Sequence, residues 1–182
     1  MSEANKQLIN IVHSSLYDFD LNTVAEVMAK VFHPKALIQL SFPFETLRNG
    51  PKGLLNEVLV PLAEALPDLE RRDTIVMSGT TDAGKHWVGC CGHYTGTFTN
   101  PWLDIFPTGH QISLRFHEFY RVEEGQIVEM QAIWDIPELM MQAKAWPMVP
   151  SLGREWHVPS PATQDGIISG LRDDKRSNDS LA

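Results

Sequence analysis

The chain carries only two cysteines in 182 residues, and they are neighbours, Cys90 and Cys91. A disulfide between adjacent residues is strained, and two thiols make no metal framework, so a disulfide-stapled fold and a cysteine-built zinc site are both excluded. In a strand the pair points to opposite faces, as two small buried or half-buried thiols. The seven histidines are dispersed, with no His-x-His and no His-Glu-x-x-His, which leaves no metal site to expect. There is no Gly-x-Ser-x-Gly elbow and no glycine-rich phosphate loop, which removes most hydrolase and nucleotide-dependent readings. The expectation is a protein that works without metal or cofactor.

Long apolar runs are missing too. None approaches the ~20 residues that span a bilayer, and the opening MSEANKQLIN lacks the basic-then-apolar pattern of a signal peptide. A cytoplasmic protein without membrane contact is expected. Basic charge is short: 15 Lys and Arg against 23 Asp and Glu give a net charge of −8. Only Arg71-Arg72 and Lys175-Arg176 are adjacent basic pairs, so no cationic surface of the kind a phosphate backbone requires is present, and nucleic acid is excluded as a partner.

What remains is an ordinary globular composition, 43% hydrophobic and 21% charged, in a chain of one-domain length. From Lys6 to Val31 apolar residues recur at helical spacing, broken around Tyr17-Asp18-Phe19-Asp20, which predicts two successive helices. Asn22 or Thr23 is placed to cap the second, and Phe32-His33-Pro34 ends it. A short strand over 36–40 precedes a third helix over 52–66, where Leu54, Leu55, Val58, Leu59, Leu62 and Leu66 form a stripe that Pro61 can kink. From Glu70 the period becomes two, which predicts strands over 70–78, 86–98, 110–122 and 126–134 joined by turns at 82–85 and 123–125. Gly89, Gly92 and Gly96 inside one strand point to bending. Helices followed by hairpin-linked strands indicate an α+β domain with a curved antiparallel sheet. A short helix over 137–145 follows Trp134-Asp135; the chain beyond about Gly166 is expected to be mobile and its last ten or so residues disordered.

Several segments carry a family resemblance. They are Phe32-His33-Pro34, Leu66-Pro67-Asp68, Gly92-His93-Tyr94-Thr95-Gly96, the stretch from Glu118 through Gly125 to Glu129, then Trp134-Asp135 and Leu139-Met140-Met141-Gln142. In this order they resemble the SnoaL-like polyketide cyclases of the nuclear-transport-factor-2-like superfamily, over roughly residues 8–145. The resemblance implies a cone-shaped barrel of strongly curved sheet, N-terminal helices enclosing a pocket, and a homodimer. It divides the chain into a SnoaL-like domain over 1–145 and an extension over 146–182. It also implies a lyase or isomerase that uses a pocket carboxylate as acid or base on a small apolar carbonyl compound, and Asp135 stands at the matching position. The family's histidine in the Gly-x-x-x-Gly strand is Tyr94 here, and its frequent tryptophan is Gln131.

The residues themselves leave alternatives open. Asp135 can be the acid/base or can cap the helix that begins at Pro137. Strand parity groups Asp135 with Ile133 and Gln131, and Arg115 with His117, which makes Gln131, Arg115 and His117 candidate substrate-binding groups or members of a solvated face. Tyr94 and Trp87 on the long strand are further candidates, with cross-strand packing as Tyr94's plain alternative. The same pocket could also hold a small apolar molecule without turning it over.

Overall fold

In the computed structural model, residues 2–149 are described. Helices α1 (Ser2–Ser15) and α2 (Leu21–Val31) each turn one apolar stripe inward, with Ile9 and Val12 buried on the first, Leu16 buried in the turn that follows it, and Val24, Met28 and Val31 buried on the second. The cap of α2 is Asp20, whose carboxylate accepts from the Thr23 backbone N–H at 2.9 Å and from its hydroxyl at 2.7 Å, so the cap lies earlier than Asn22 or Thr23. The chain passes straight into β1 (Phe32–Leu40), because Pro34 cannot continue a helix.

The third helical stretch runs as α3 (Pro51–Gly53), a π-helical segment (Leu54–Leu59) and α4 (Val60–Ala65). Pro61 explains the interruption. It has no N–H to give to the carbonyl of Glu57, and its ring would crowd that carbonyl in a regular helix. The widened turn makes the room. Leu54, Val58, Leu59 and Leu62 stay buried throughout. Asp68, just past this helix, accepts from the Thr97 backbone at 2.5 Å and its hydroxyl at 2.7 Å, tying the helix end to the sheet.

Strands β2 (Glu70–Thr80), β3 (His86–Thr97), β4 (Gln111–Glu123) and β5 (Gln126–Trp134) are antiparallel neighbours, and α5 (Ile136–Gln142) closes the described chain. The sheet order is β1-β5-β4-β3-β2, with β1 parallel to β5. The sheet is therefore mixed, where a wholly antiparallel one was expected from hairpin succession. Only β1, which reaches β5 across the whole domain, departs from it. Among the described residues the sheet does not close into a full barrel, as a curved cone requires, and the outer side of β1 is bonded by the 45–47 segment.

Alternation along β4 defines two faces. Ile112, Leu114, Phe116, Glu118, Tyr120 and Val122 are buried beneath the helices, whereas Arg115, His117 and Phe119 lie on the other side. Curvature is built in where β2 bulges between Asp73 and Ile75 and β3 answers with Gly92. A Cβ on Gly92 would stand 2.1 Å from the Arg72 carbonyl oxygen and 2.8 Å from the Phe116 ring. Gly92→Ala is therefore expected to destabilise the fold by at least ~1–3 kcal/mol, the range of an overpacked core. A urea midpoint equal to wild type would show that β2 is not pressed against β3 there.

Candidate functional site

Beneath the helices the sheet's inner face holds a group of charges that alternation alone only hints at. Arg71, on β2, is fully buried and forks between two carboxylates. One Nη contacts Glu118 at 2.8 Å and the Tyr94 hydroxyl at 2.7 Å, while the other nitrogens bind Asp73 at 2.9 and 3.2 Å. Glu118, also fully buried, further accepts from the Tyr120 hydroxyl at 2.6 Å and the Trp134 indole N–H at 2.9 Å. His13 of α1 lies 3.0 Å from Asp73 and so ties the helix to the sheet. The guanidinium also stacks 3.9 Å from the Phe116 ring centre.

His13, Cys90 and Glu118 bring potential ligand atoms within 4.8 Å of one another. They do not fit a divalent cation, because the Arg71 guanidinium is already 3.5 Å from the Cys90 sulfur and bonded to Glu118. Tyr94 belongs to this interior, with its ring against Phe116 and Trp134, which is its packing alternative. Little space is left. The cavity bounded by Tyr94, Tyr120, Met130, Trp134 and the helix side chains is about 10 Å³, room for at most one water.

These environments set a pH window. Burial, helped by the nearby Arg71 charge, lowers the His13 pKa from 6.5. Burial works against ionised Asp73, but Arg71 and His13 overcome it and hold the carboxyl well below its usual 3.8. Burial raises Tyr94 and Tyr120 above 10.0, the latter further through Glu118. Below pH 6.5 the unfolded chain binds a proton at His13 that the folded chain resists, so stability should fall with a limiting slope of ~1.4 kcal/mol per pH unit for that group. A second loss should follow below pH 3.8 as the unfolded chain protonates Asp73. A third should appear above pH 10 as the tyrosines ionise only in the unfolded chain. Chemical denaturation between pH 5 and 8 checks the first step. A stability that rises on acidification from 7 to 5.5 would contradict this account of His13.

The large opening lies elsewhere. A groove of about 1090 Å³ runs along the sheet's uncovered face and its end, walled by Phe42, Pro43, Leu103, Ile105, Ile133, Trp134, Ile136, Pro137, Met140 and Trp146. Its polar groups are Ser41, Asp104, Arg115, His117 and Asp135. Asp135 sits where β5 ends, its backbone N–H bonded to the Arg115 carbonyl at 2.9 Å. One carboxylate oxygen accepts from the Glu138 N–H at 3.2 Å and caps α5. The other accepts from Arg115 Nη2 at 2.8 Å. The apolar isolation that local sequence suggested for Asp135 is thus replaced by a charged partner, with side chains 27% and 42% exposed for Asp135 and Arg115.

Three of the candidates, Asp135, Arg115 and His117, therefore meet in one groove. Gln131 shares their face but stands across from Phe119, bonded to Glu129 at 2.8 Å, and Trp87 stands across from Arg121 towards the far end of β3. Neither lines the groove, because the strands carry them away from the end where Asp135 lies. Arg71, Asp73, Glu118 and His13 were not singled out from sequence. The available signal was Glu118 itself, a carboxylate within the apolar alternation Ile112, Leu114, Phe116, since such a position calls for a buried cation.

The family model of the SnoaL-like polyketide cyclases matches residues 16–143. The chain belongs to this family. Similar solved structures include AclR from Streptomyces galilaeus, described as a candidate hydroxylase, with 18% identity, TM-score 0.66, and coverage of 84% of this chain and 88% of that one. A SnoaL-like polyketide cyclase candidate from Jannaschia sp. CCS1 has 18% identity and TM-score 0.64 over 81% and 95% of the two chains. IdmH from Streptomyces antibioticus, a candidate polyketide cyclase, has 18% identity and TM-score 0.61 over 76% and 96%. At such identities the structures establish the shared fold, and the family match establishes a general cyclase-type relationship. No curated protein matches the chain.

Proposed function

We propose that the chain is a cofactor-independent lyase or isomerase of the cyclase type that acts in the groove on a small apolar carbonyl compound. The observation that carries this reading is the Asp135–Arg115 pair, 2.8 Å apart on the wall of an otherwise apolar groove. Asp135 would take the proton α to a carbonyl, leaving an enolate whose oxygen carries the charge. Arg115, a planar donor with several N–H groups, is suited to hold that oxygen. The enolate carbon would then attack a second carbonyl of the same molecule, forming a C–C bond. The resulting alkoxide would take the proton back from Asp135. His117, two residues along β4 on the same wall, would contact the ligand beyond Arg115.

The test is proton exchange at an activated position: deuterium uptake by ethyl 2-naphthoylacetate in D2O, followed by NMR with wild type and Asp135→Asn. A second reading, binding without turnover, is favoured by both Asp135 oxygens being engaged already, one by the α5 cap and one by Arg115. On that reading neither protein exceeds the buffer rate.

A further inference from the structure

The groove is bordered by a four-residue turn, Trp102 to Ile105, that is unfavourable in two independent ways. Leu103 and Asp104 both have positive φ, 52° and 61°, while Trp102 and Ile105 bond backbone to backbone at 2.9 and 3.2 Å. Turns with two left-handed residues favour Asn and Gly, and a leucine there pays for the close approach of its Cβ to the backbone. The side chain of Trp102 adds the second cost. It is buried, 3% exposed, against Phe44 and Trp134, and its indole N–H finds no hydrogen-bond partner among the described residues. A buried donor without an acceptor is rare and calls for an explanation such as a missing water or ligand oxygen. The closed turn is held by aromatic packing and opposed by the left-handed leucine and the orphan N–H.

We propose that this turn is the groove's specificity element: it shifts when a ligand enters, and the Trp102 indole N–H then donates to an oxygen of that ligand. The inference rests on the groove being the ligand site. The turn abuts it directly, since Leu103, Asp104 and Ile105 line the groove and Trp102 packs on Trp134, another lining residue. The ligand class follows from the walls. A flat apolar body suits the aromatic and aliphatic lining, an anionic or carbonyl end suits Arg115 and His117, and an acceptor oxygen elsewhere on the body suits Trp102. Hydrocarbon ligands of the same shape would leave the N–H without a partner and so bind less well.

Two probes separate these contributions. Anthraquinone-2-sulfonate and anthracene-2-sulfonate share a shape and a charge and differ in the quinone oxygens. With the full chain, titration should show the quinone binding about 10-fold more tightly, the worth of one neutral hydrogen bond. The ¹H–¹⁵N indole resonance of Trp102 should move downfield with the quinone and not with the hydrocarbon. In Trp102→Phe the two affinities should become equal, with that for the hydrocarbon retained. The resonance measurement needs only wild type, so it decides the matter even if the variant folds poorly. Equal affinities in wild type with an unmoved Trp102 resonance would overturn the role of the turn while leaving the groove intact. If neither probe binds, the groove reading falls and this inference falls with it.

Discussion

Glu118→Gln is expected to remove about 3–5 kcal/mol of folding stability, the usual cost of breaking a buried ion pair from one side. Glu118, with none of its surface exposed, collects the Arg71 guanidinium, the Tyr120 hydroxyl and the Trp134 indole N–H. A glutamine offers one carbonyl oxygen for three donors and turns a donor of its own towards them. Against a typical total of ~5–15 kcal/mol, the loss should move the urea midpoint strongly or leave the chain partly unfolded. Arg71→Met should cost a similar amount, because Asp73 and Glu118 would then both lose their cation. The double variant should cost less than the sum of the two, since much of each single loss is the penalty of one stranded charge. A Glu118→Gln protein within ~0.5 kcal/mol of wild type, the range of an ordinary surface substitution, would mean that the buried pair is not what holds the inner face together.

This network also explains which parts of the molecule could be read from the chain and which could not. Helices and strands followed from period, and the two sets on β4 were separated correctly by alternation. The set with Arg115 and His117 looked like a pocket wall because it mixes charge with apolar side chains. The helices cover the other set, and Glu118 is in it. Arg71, noted in the chain only as one of an adjacent basic pair with Arg72, is buried against Glu118, 47 residues away, and no local pattern carries such a pairing. The same holds for β1, whose parallel neighbour β5 is almost a hundred residues on, as the register Ile38↔Met130 shows. Asp135 was legible both as a cap and as a pocket carboxylate, and the geometry gives it a hand in each: it caps α5 and lines the groove. Its bond to Arg115 joins a strand end to the middle of a neighbouring strand, so it depended on register. The expectations of mobility beyond about Gly166 and of disorder in the last ten or so residues lie outside the described residues.

Asp135→Asn should lower the rate of α-proton exchange or cyclisation by ~10²–10⁴-fold, the range lost with a general base. The substitution keeps the shape and keeps an acceptor for the Glu138 N–H, and asparagine caps a helix about as well as aspartate. Its amide cannot take up the substrate proton. Arg115 would lose an anionic partner, but with 42% of its side chain exposed it can turn to water, so the pair is worth ~1 kcal/mol or less to stability. Activity should therefore fall while the melting temperature stays within a few degrees. Asp135→Ala supplies the complementary comparison: it removes the cap as well and should cost a further ~0.5–2 kcal/mol of stability with no greater loss of rate than Asn. The pattern across the two variants is what separates the roles. If Asp135 were only a cap, Asn would leave both rate and stability unchanged and Ala would lower stability alone. An Asp135→Asn protein that exchanges the α-proton at the wild-type rate would end the proposed acid/base role, and His117, the other titratable side chain that lines the groove besides Asp104 and Arg115, would become the next group to replace.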